Sequence, residues 1–251
     1  QDFGLQPATQ HWGEPQREFT TLSGAQVVLY PLQSAALPAA FEGGSTLRRM
    51  TWGVGSPADL ARLQPRLALM PGFRQVGEEL ECLDPNGMTL RFVVSRQQAV
   101  EVPVTPINQW GDVRRIDQPS PVYSQAQPIN IGHVVFFVED LAATERFYRE
   151  LLDFQVSDRY IDRAVFLRTQ ARGGHHNLFL LKLPNRPRGL NHVAFTVRDI
   201  HEVIGGGIAG AVLGSKVGDS ENTVFWAGFL RDLRDRGLAG VQLVISDHHR
   251  G

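Results

Sequence analysis

One nine-residue stretch occurs twice in this chain, as HVVFFVEDL at residues 133–141 and as HVAFTVRDI at residues 192–200. The two copies share His, Val, Phe, Val and Asp at the same offsets. Each copy begins with β-branched and aromatic residues, which are typical of a strand, and then reaches an Asp suited to cap a helix N-terminus. We therefore predict a strand followed by a helix, used twice.

The residues between the two copies complete a module. The pattern predicts a helix over residues 141–152, with Phe147 on its apolar side and Glu145 on its solvent side. Three further strands are predicted at residues 154–160, 164–167 and 177–183. The N-terminal half repeats this order faintly, with strands predicted at 50–54, 79–83 and 89–94 and a helix at 57–69. The fold class predicted is α+β, built from paired βαβββ modules.

Proline marks the predicted domain boundaries. Five of the 15 prolines lie between residues 97 and 129, mixed with Gln, Ser and Asn, which favours a linker there. The linker separates an N-terminal half, residues 1–96, whose leading strand we expect to be missing, from a C-terminal half, residues 130–207. Residues 208–251 form a distinct tail.

Composition excludes several classes of protein. The chain has 251 residues, 42% hydrophobic and 20% charged, which is close to the globular average and unlike a disordered chain. The net charge of −1 offers no basic footprint for nucleic acid, and the single cysteine, Cys82, cannot form an internal disulfide. Apolar runs are too short for a membrane-spanning helix. We expect a cytoplasmic protein without a membrane or nucleic-acid partner, and leave self-association open.

The repeated histidines are the strongest candidates for a site. His133 and His192 begin their strands in the same phase, so their imidazoles can converge if the modules pair around a pseudo-twofold axis. Two His and one carboxylate on one face, with open positions, is the arrangement of non-haem Fe(II) oxygenases. The alternative, a structural His at the edge of a sheet, stays open for each.

Three motifs together resemble the vicinal oxygen chelate superfamily. They are the repeated stretch, FYRE at residues 147–150 and GHHNLFL at residues 174–180. Within that superfamily the chain is most similar to the type I extradiol ring-cleavage dioxygenases. The resemblance covers about residues 1–207 and is most specific in residues 130–201.

The resemblance implies a metal site and a reaction. His133 and His192 would hold Fe(II), or less often Mn(II), and His176 would handle protons beside O₂, the co-substrate. The substrate would be a small aromatic diol of the catechol type. Arg49 stands at the position of His133 in the N-terminal half, which we expect to bind no metal. From the residues alone, a solvated loop remains the alternative for His175 and His176.

The tail departs from this pattern. After Ile204 the chain runs into three glycines, and residues 209–251 predict a β-α-β segment that resembles the catalytic core of Mutator-type transposases. In that family Asp247 would be one of three metal-binding carboxylates, but a single one cannot hold the metal pair. The extradiol family's third ligand, a glutamate on the last strand of the fourth module, is not found. Asp247 and Glu202 are weak candidates to replace it.

Three functions are therefore weighed. The first is a metal-dependent extradiol dioxygenase of aromatic compound catabolism, with its fourth module truncated and its activity impaired. The second is a non-catalytic protein of the same fold that binds an aromatic ligand. The third is a transposase fragment that binds DNA, against which the neutral charge argues.

Overall fold

The computed structural model describes residues 4–8, 16–102, 123–199 and 201–203. The chain divides into two compact units. The larger unit comprises Pro7–Val100 and Ile129–Thr196, and the smaller unit comprises Gln1–Gln6, Glu101–Pro128 and Val197–Gly251. The predicted tail, residues 208–251, and the middle of the predicted linker, residues 103–122, lie outside the described residues.

Strands dominate the described residues. In chain order the elements are β1 (Gln6–Pro7), β2 (Arg17–Thr20), β3 (Gln26–Leu29), β4 (Arg49–Val54), α1 (Pro57–Leu67), β5 (Arg74–Val76), β6 (Glu79–Leu83), β7 (Thr89–Val94), β8 (Asn130–Phe137), α2 (Leu141–Arg146), a π-helical turn (Phe147–Leu151), β9 (Gln155–Tyr160), β10 (Ala164–Arg168), β11 (Leu178–Leu181) and β12 (Gly189–Thr196). The strands form three sheets, ordered β1-β2-β3, β4-β7-β6-β5 and β12-β8-β11-β10-β9. The second and third are called the N-terminal and C-terminal sheets below.

The two larger sheets repeat one strand-helix-strand-strand-strand module. In each, the first strand pairs in parallel with the fourth, β4 with β7 and β8 with β11, and the other neighbours pair antiparallel. The predicted module is thereby confirmed in both halves. Met50 lies opposite Leu90 as Val134 lies opposite Leu178, so Arg49 takes the place of His133.

The second copy of the repeat forms strand β12, as the sequence predicted. It joins the C-terminal sheet antiparallel to β8. His192 lies opposite Val135, and Ala194 lies opposite His133. Each histidine is therefore two residues away from the position directly opposite the other histidine. This symmetric register is what a pseudo-twofold axis between β8 and β12 produces.

One apolar core connects the two modules in the larger unit. Alternate strand residues point into it, because successive side chains in a strand face opposite sides of the sheet. The fully buried members include Leu67, Cys82, Leu90, Tyr148, Val165, Leu167, Leu178 and Leu180. Trp52 of β4 meets Phe154 edge to face, with ring centroids 5.1 Å apart. The opposite faces of both sheets are thus left for other chemistry.

Both helices begin at the predicted residues, but the interior of the second helix differs from the prediction. The Asp140 side chain accepts a hydrogen bond from the Ala143 N–H at 2.9 Å, which confirms it as the N-cap of α2. The helix then widens into the π-helical turn. The placement of Glu145 on the solvent side is wrong: its side chain is buried, and Arg159 of β9 donates to it at 2.7 Å. A nearby Arg makes that burial tolerable.

Glu202 organises the described part of the smaller unit. Its side chain is 1% exposed, and its two carboxylate oxygens accept hydrogen bonds from the N–H groups of Gln127, at 2.9 Å, and Arg198, at 2.7 Å. Asp199 accepts a hydrogen bond from the Glu202 N–H at 2.9 Å and from the Tyr123 hydroxyl at 3.2 Å. Glu202 therefore holds two backbone donors, and Asp199 holds one backbone and one side-chain donor.

Candidate functional site

The site lies on the face of the C-terminal sheet that points away from the core. Val134 and Phe136 of β8 enter the core, so the alternating His133 and Val135 lie on the other face. His192 is opposite Val135 and shares that face. Diagonal neighbours on one face of an antiparallel pair are within reach of long side chains, which is why the two imidazoles meet.

The two histidines approach through their Nε2 atoms, which are 3.2 Å apart. The Nδ1 atom of His192 lies 2.7 Å from the Asn191 side-chain oxygen. An amide oxygen only accepts, so His192 carries its proton on Nδ1 and turns the lone pair of Nε2 toward His133. A hydrogen bond of this kind is how proteins orient histidines that bind metals.

His176 completes a group of three imidazoles. Its ring centroid is 4.3 Å from that of His133, and it stands just before β11, beside β8 in the sheet. His175 is exposed, and its Nδ1 atom is 3.1 Å from the Nδ1 atom of His176. Of the adjacent pair it is therefore His176 that lies against the histidines of β8 and β12.

All three imidazoles are held in the neutral form. Burial lowers the pKa of His133, and the neighbouring His192 lowers it further. Burial also lowers the pKa of His192. For His176, burial and then the charges of His133 and His175 lower the pKa to about 4. Neutral imidazole is the form that binds metals and accepts protons.

The geometry of the histidine pair fits two ligands of one metal ion. Nitrogen ligands about 2.1 Å from an ion, at angles of about 90–110°, are about 3.0–3.4 Å apart, and the Nε2 separation of 3.2 Å falls in that range. Within residues 4–8, 16–102, 123–199 and 201–203, no group of three His, Cys, Asp or Glu side chains converges on one point. The described residues thus bring two imidazole donors together rather than three.

The sequence offers two candidates for a third ligand, Glu202 and Asp247. Glu202 belongs to the smaller unit, and both of its oxygens are engaged by backbone N–H groups. Asp247 lies outside the described residues. The third ligand remains a prediction without an assigned residue.

Two features of the site were missed from the sequence. Asn191 sits in a bulge of β12, where the register shifts between Leu190 and His192. Phe166 of β10 and Phe179 of β11 stack with ring centroids 4.1 Å apart and planes inclined by 6°. The sequence does show two aromatic residues, each within a predicted strand and flanked by core residues. That the two rings lie opposite each other depends on the register between β10 and β11.

Comparison with known proteins supports the resemblance segment by segment. Residues 130–205 match the model of the Glyoxalase/Bleomycin resistance protein/Dioxygenase superfamily, and residues 205–251 match the model of the Mutator-family transposase. Metapyrocatechase 2 of Cupriavidus necator is 35% identical over 85 residues, which are 33% of this chain and 26% of that protein. The matched segment therefore spans about a quarter of that relative.

Solved structures share the fold at low identity. The Mn(II)-bound glyoxalase from Novosphingobium aromaticivorans is 17% identical, with a TM-score of 0.55, over 82% of this chain and 62% of that one. A catechol 2,3-dioxygenase is 18% identical, with a TM-score of 0.56, over 80% and 65%. The 2,3-dioxygenase LapB from Pseudomonas sp. KL28 is 15% identical, with a TM-score of 0.56, over 88% and 77%.

The class of fold follows from these findings. The chain has the mixed α+β fold of glyoxalases and extradiol dioxygenases, and the predicted fold class is confirmed. The resemblance to a transposase in the C-terminal segment is confirmed at the level of the family model. Among the helices that the structure describes, none is long and apolar enough to cross a membrane.

Proposed function

We propose that this protein binds one divalent metal ion through the Nε2 atoms of His133 and His192 and acts on a small aromatic diol as an extradiol-type ring-cleavage dioxygenase. Fe(II) is the proposed ion, with Mn(II) as the alternative, and O₂ is the proposed co-substrate. The observation that supports this most strongly is the Nε2 separation of 3.2 Å on one face of the sheet. Such an ion supplies Lewis acidity toward diol oxygens and redox chemistry toward O₂.

The chain's own residues have distinct parts in this proposal. Asn191 holds the His192 ring through Nδ1, so that Nε2 keeps its lone pair toward the site. His176 stays neutral at pH 7, because its pKa is lowered to about 4 by burial and by its neighbouring histidines. Its neutral ring lies with its centroid 4.3 Å from that of His133, where it can accept a hydrogen bond from a diol hydroxyl.

We propose further that the activity is weak. The match to the dioxygenase superfamily stops at residue 205, where the match to the transposase begins, so the sequence that would carry the family's third ligand is of another kind. A metal held by two protein ligands is expected to exchange more readily than one held by three.

A second candidate is a non-catalytic protein that holds an aromatic ligand on the same face. The observation that favours it is that the described residues present two converging donors rather than three. Phe166 and Phe179 stack on this face, and aromatic surfaces of this kind can bind a ring without any metal.

Metal binding separates these candidates. The full chain would be titrated anaerobically with Fe(II) and desalted, beside the His133→Ala/His192→Ala double variant and a control, His201→Ala, which removes an imidazole from the smaller unit. We expect the unmutated chain and the control to bind iron, and the affinity to fall by more than about 100-fold in the double variant. O₂ uptake and a yellow product with catechol would then identify the dioxygenase.

The other outcomes are equally decisive. Retained iron without O₂ uptake, together with catechol binding, would favour the ligand-binding protein. Equal and weak retention by all three proteins would show that the histidine pair holds no metal, and the proposed function would be wrong.

A further inference from the structure

A line of aromatic side chains leads away from the histidines across the C-terminal sheet. It consists of Phe179 on β11, Phe166 on β10 and Tyr160 on β9, and is called the aromatic row below. Phe179 is opposite Val135 of β8, and Phe166 is opposite Phe179, so both rings are on the same face as His133. Tyr160 continues the row, its ring centroid 5.9 Å from that of Phe166.

The aromatic row is continuous with the histidine site. The ring of His176 lies between the two, with its centroid 4.3 Å from His133 and 5.0 Å from Phe166. Phe166 and Phe179 are only half-buried, and Tyr160 is 62% exposed. Aromatic rings left accessible on a sheet face are surfaces on which an apolar group can be placed in contact.

Two charged side chains of opposite sign, Asp158 and Arg168, flank the aromatic row. Asp158 is opposite Phe166 in the sheet and is exposed, so a carboxylate stands beside the row. Arg168, at the end of β10, is fixed to β9: its guanidinium donates to the Ser157 hydroxyl at 2.8 Å and to the Val156 carbonyl at 3.2 Å. Asp158 and Arg168 carry opposite charges, so the row offers no net attraction for an anion, and a carboxylate placed against the aromatic faces would lose its hydration.

We propose that the aromatic row binds an uncharged aryl or alkyl substituent on the substrate ring, and that it makes the site select apolar-substituted diols over carboxylate-bearing ones. This proposal rests on the proposed function for the placement of the two hydroxyls at the histidines. The row itself acts without the metal, because contact between rings requires only shape and the exclusion of water.

Binding of two diols tests the proposal. Dissociation constants of 3-phenylcatechol and 3,4-dihydroxybenzoate would be measured anaerobically by calorimetry on the full chain, with and without Mn(II). We expect 3-phenylcatechol to bind at least tenfold more tightly in both states. In Phe166→Leu, which keeps the volume and loses the ring, the preference should fall about 3- to 10-fold. The control is Leu69→Ala, at an 81% exposed position in the other module, which should keep the full preference.

Each result bears on one proposal or the other. Equal or tighter binding of 3,4-dihydroxybenzoate, a preference that survives in Phe166→Leu, or no binding of either diol would overturn the role of the aromatic row. A preference that falls in Phe166→Leu while Mn(II) changes neither affinity would support the row and count against the metal-dependent function. Circular dichroism of each variant would establish that the comparison is made between folded proteins.

Discussion

The same sheet face carries opposite chemistry in the two modules. Equivalent positions across the four strands are Val135, Phe179, Phe166 and Asp158 in the C-terminal sheet, and Thr51, Arg91, Glu81 and Arg74 in the N-terminal sheet. Where the first offers neutral imidazoles and stacked rings, the second offers arginines and glutamates that form ion pairs with one another. The core faces of both sheets are apolar. Because packing restricts only the core face, the outer face of each module is free to differ.

Glu81 is the centre of the N-terminal face. Its side chain is 1% exposed, yet Arg74 donates to it at 2.5 Å and Arg91 at 2.7 Å, while Arg49 lies 3.5 Å away. Burial alone would raise the pKa of Glu81, but the hydrogen bonds and charges of Arg91 and Arg74 outweigh burial and lower it. Arg49 thus replaces a histidine with a cation that is already partnered, which explains how one position serves two different faces.

We expect the removal of Glu81, which holds the arginines of the N-terminal sheet together, to lower stability more than any other change. In Glu81→Ala three arginines lose the anion that holds them together, and we expect the free energy of unfolding to fall by about 3 kcal/mol, since the arginines stay partly solvated. Urea denaturation measures this. The control is Glu79→Ala, whose side chain is 37% exposed beside Arg91 and should contribute less than about 1 kcal/mol. Equal losses from both would contradict a central role for Glu81.

The contact between the two modules should depend on pH. The Tyr148 hydroxyl of the C-terminal module donates to Asp84 of the N-terminal module at 3.0 Å. Burial raises the pKa of Asp84 to about 6 from an ordinary 3.8. A raised carboxyl pKa means that the stabilisation is complete below about pH 4 and is lost as the pH rises through 6. The loss should be about 2–3 kcal/mol.

An isosteric substitution of Asp84 tests whether its carboxyl group causes this pH dependence of stability. In Asp84→Asn the side-chain oxygen can still accept from the N–H groups of Asn86 and Met88, and no charge forms. Relative to the unmutated chain, the variant should therefore gain stability between pH 4 and 7, as measured by urea unfolding at each pH. Asp158→Asn, the same change at an exposed residue, should show no such gain. A difference that is constant with pH would refute the explanation.

We expect the smallest effect from substituting Asn191, which orients His192 on the outer face of the C-terminal sheet. Asn191→Ala removes the acceptor of His192 Nδ1, so we expect metal affinity to fall about tenfold while the fold is unchanged. Asn191→Asp, whose carboxylate also accepts from Nδ1, should restore it. Titration with Mn(II) by calorimetry gives both values. A loss in Asn191→Asp as large as in Asn191→Ala would show that the hydrogen bond is not what orients the ring.

Patterns within single elements were predictable. The matched phase of His133 and His192, the N-cap at Asp140 and the strand-helix-strand order of both modules follow from local residue preferences and from strand alternation. The π-helical turn at Phe147–Leu151 and the buried Glu145 were not predicted, because both depend on how the helix packs and on Arg159, a partner from a later strand.

The order of residues along each strand was enough to say which of them share a face, because side-chain alternation is a property of the extended backbone. Only the tertiary structure decided which of those faces meet. The register of β12 against β8 brings two Nε2 atoms to 3.2 Å, and the register of β11 against β8 places Phe179 opposite Val135. Register depends on contacts between strands that are distant in the chain, so no local pattern encodes it.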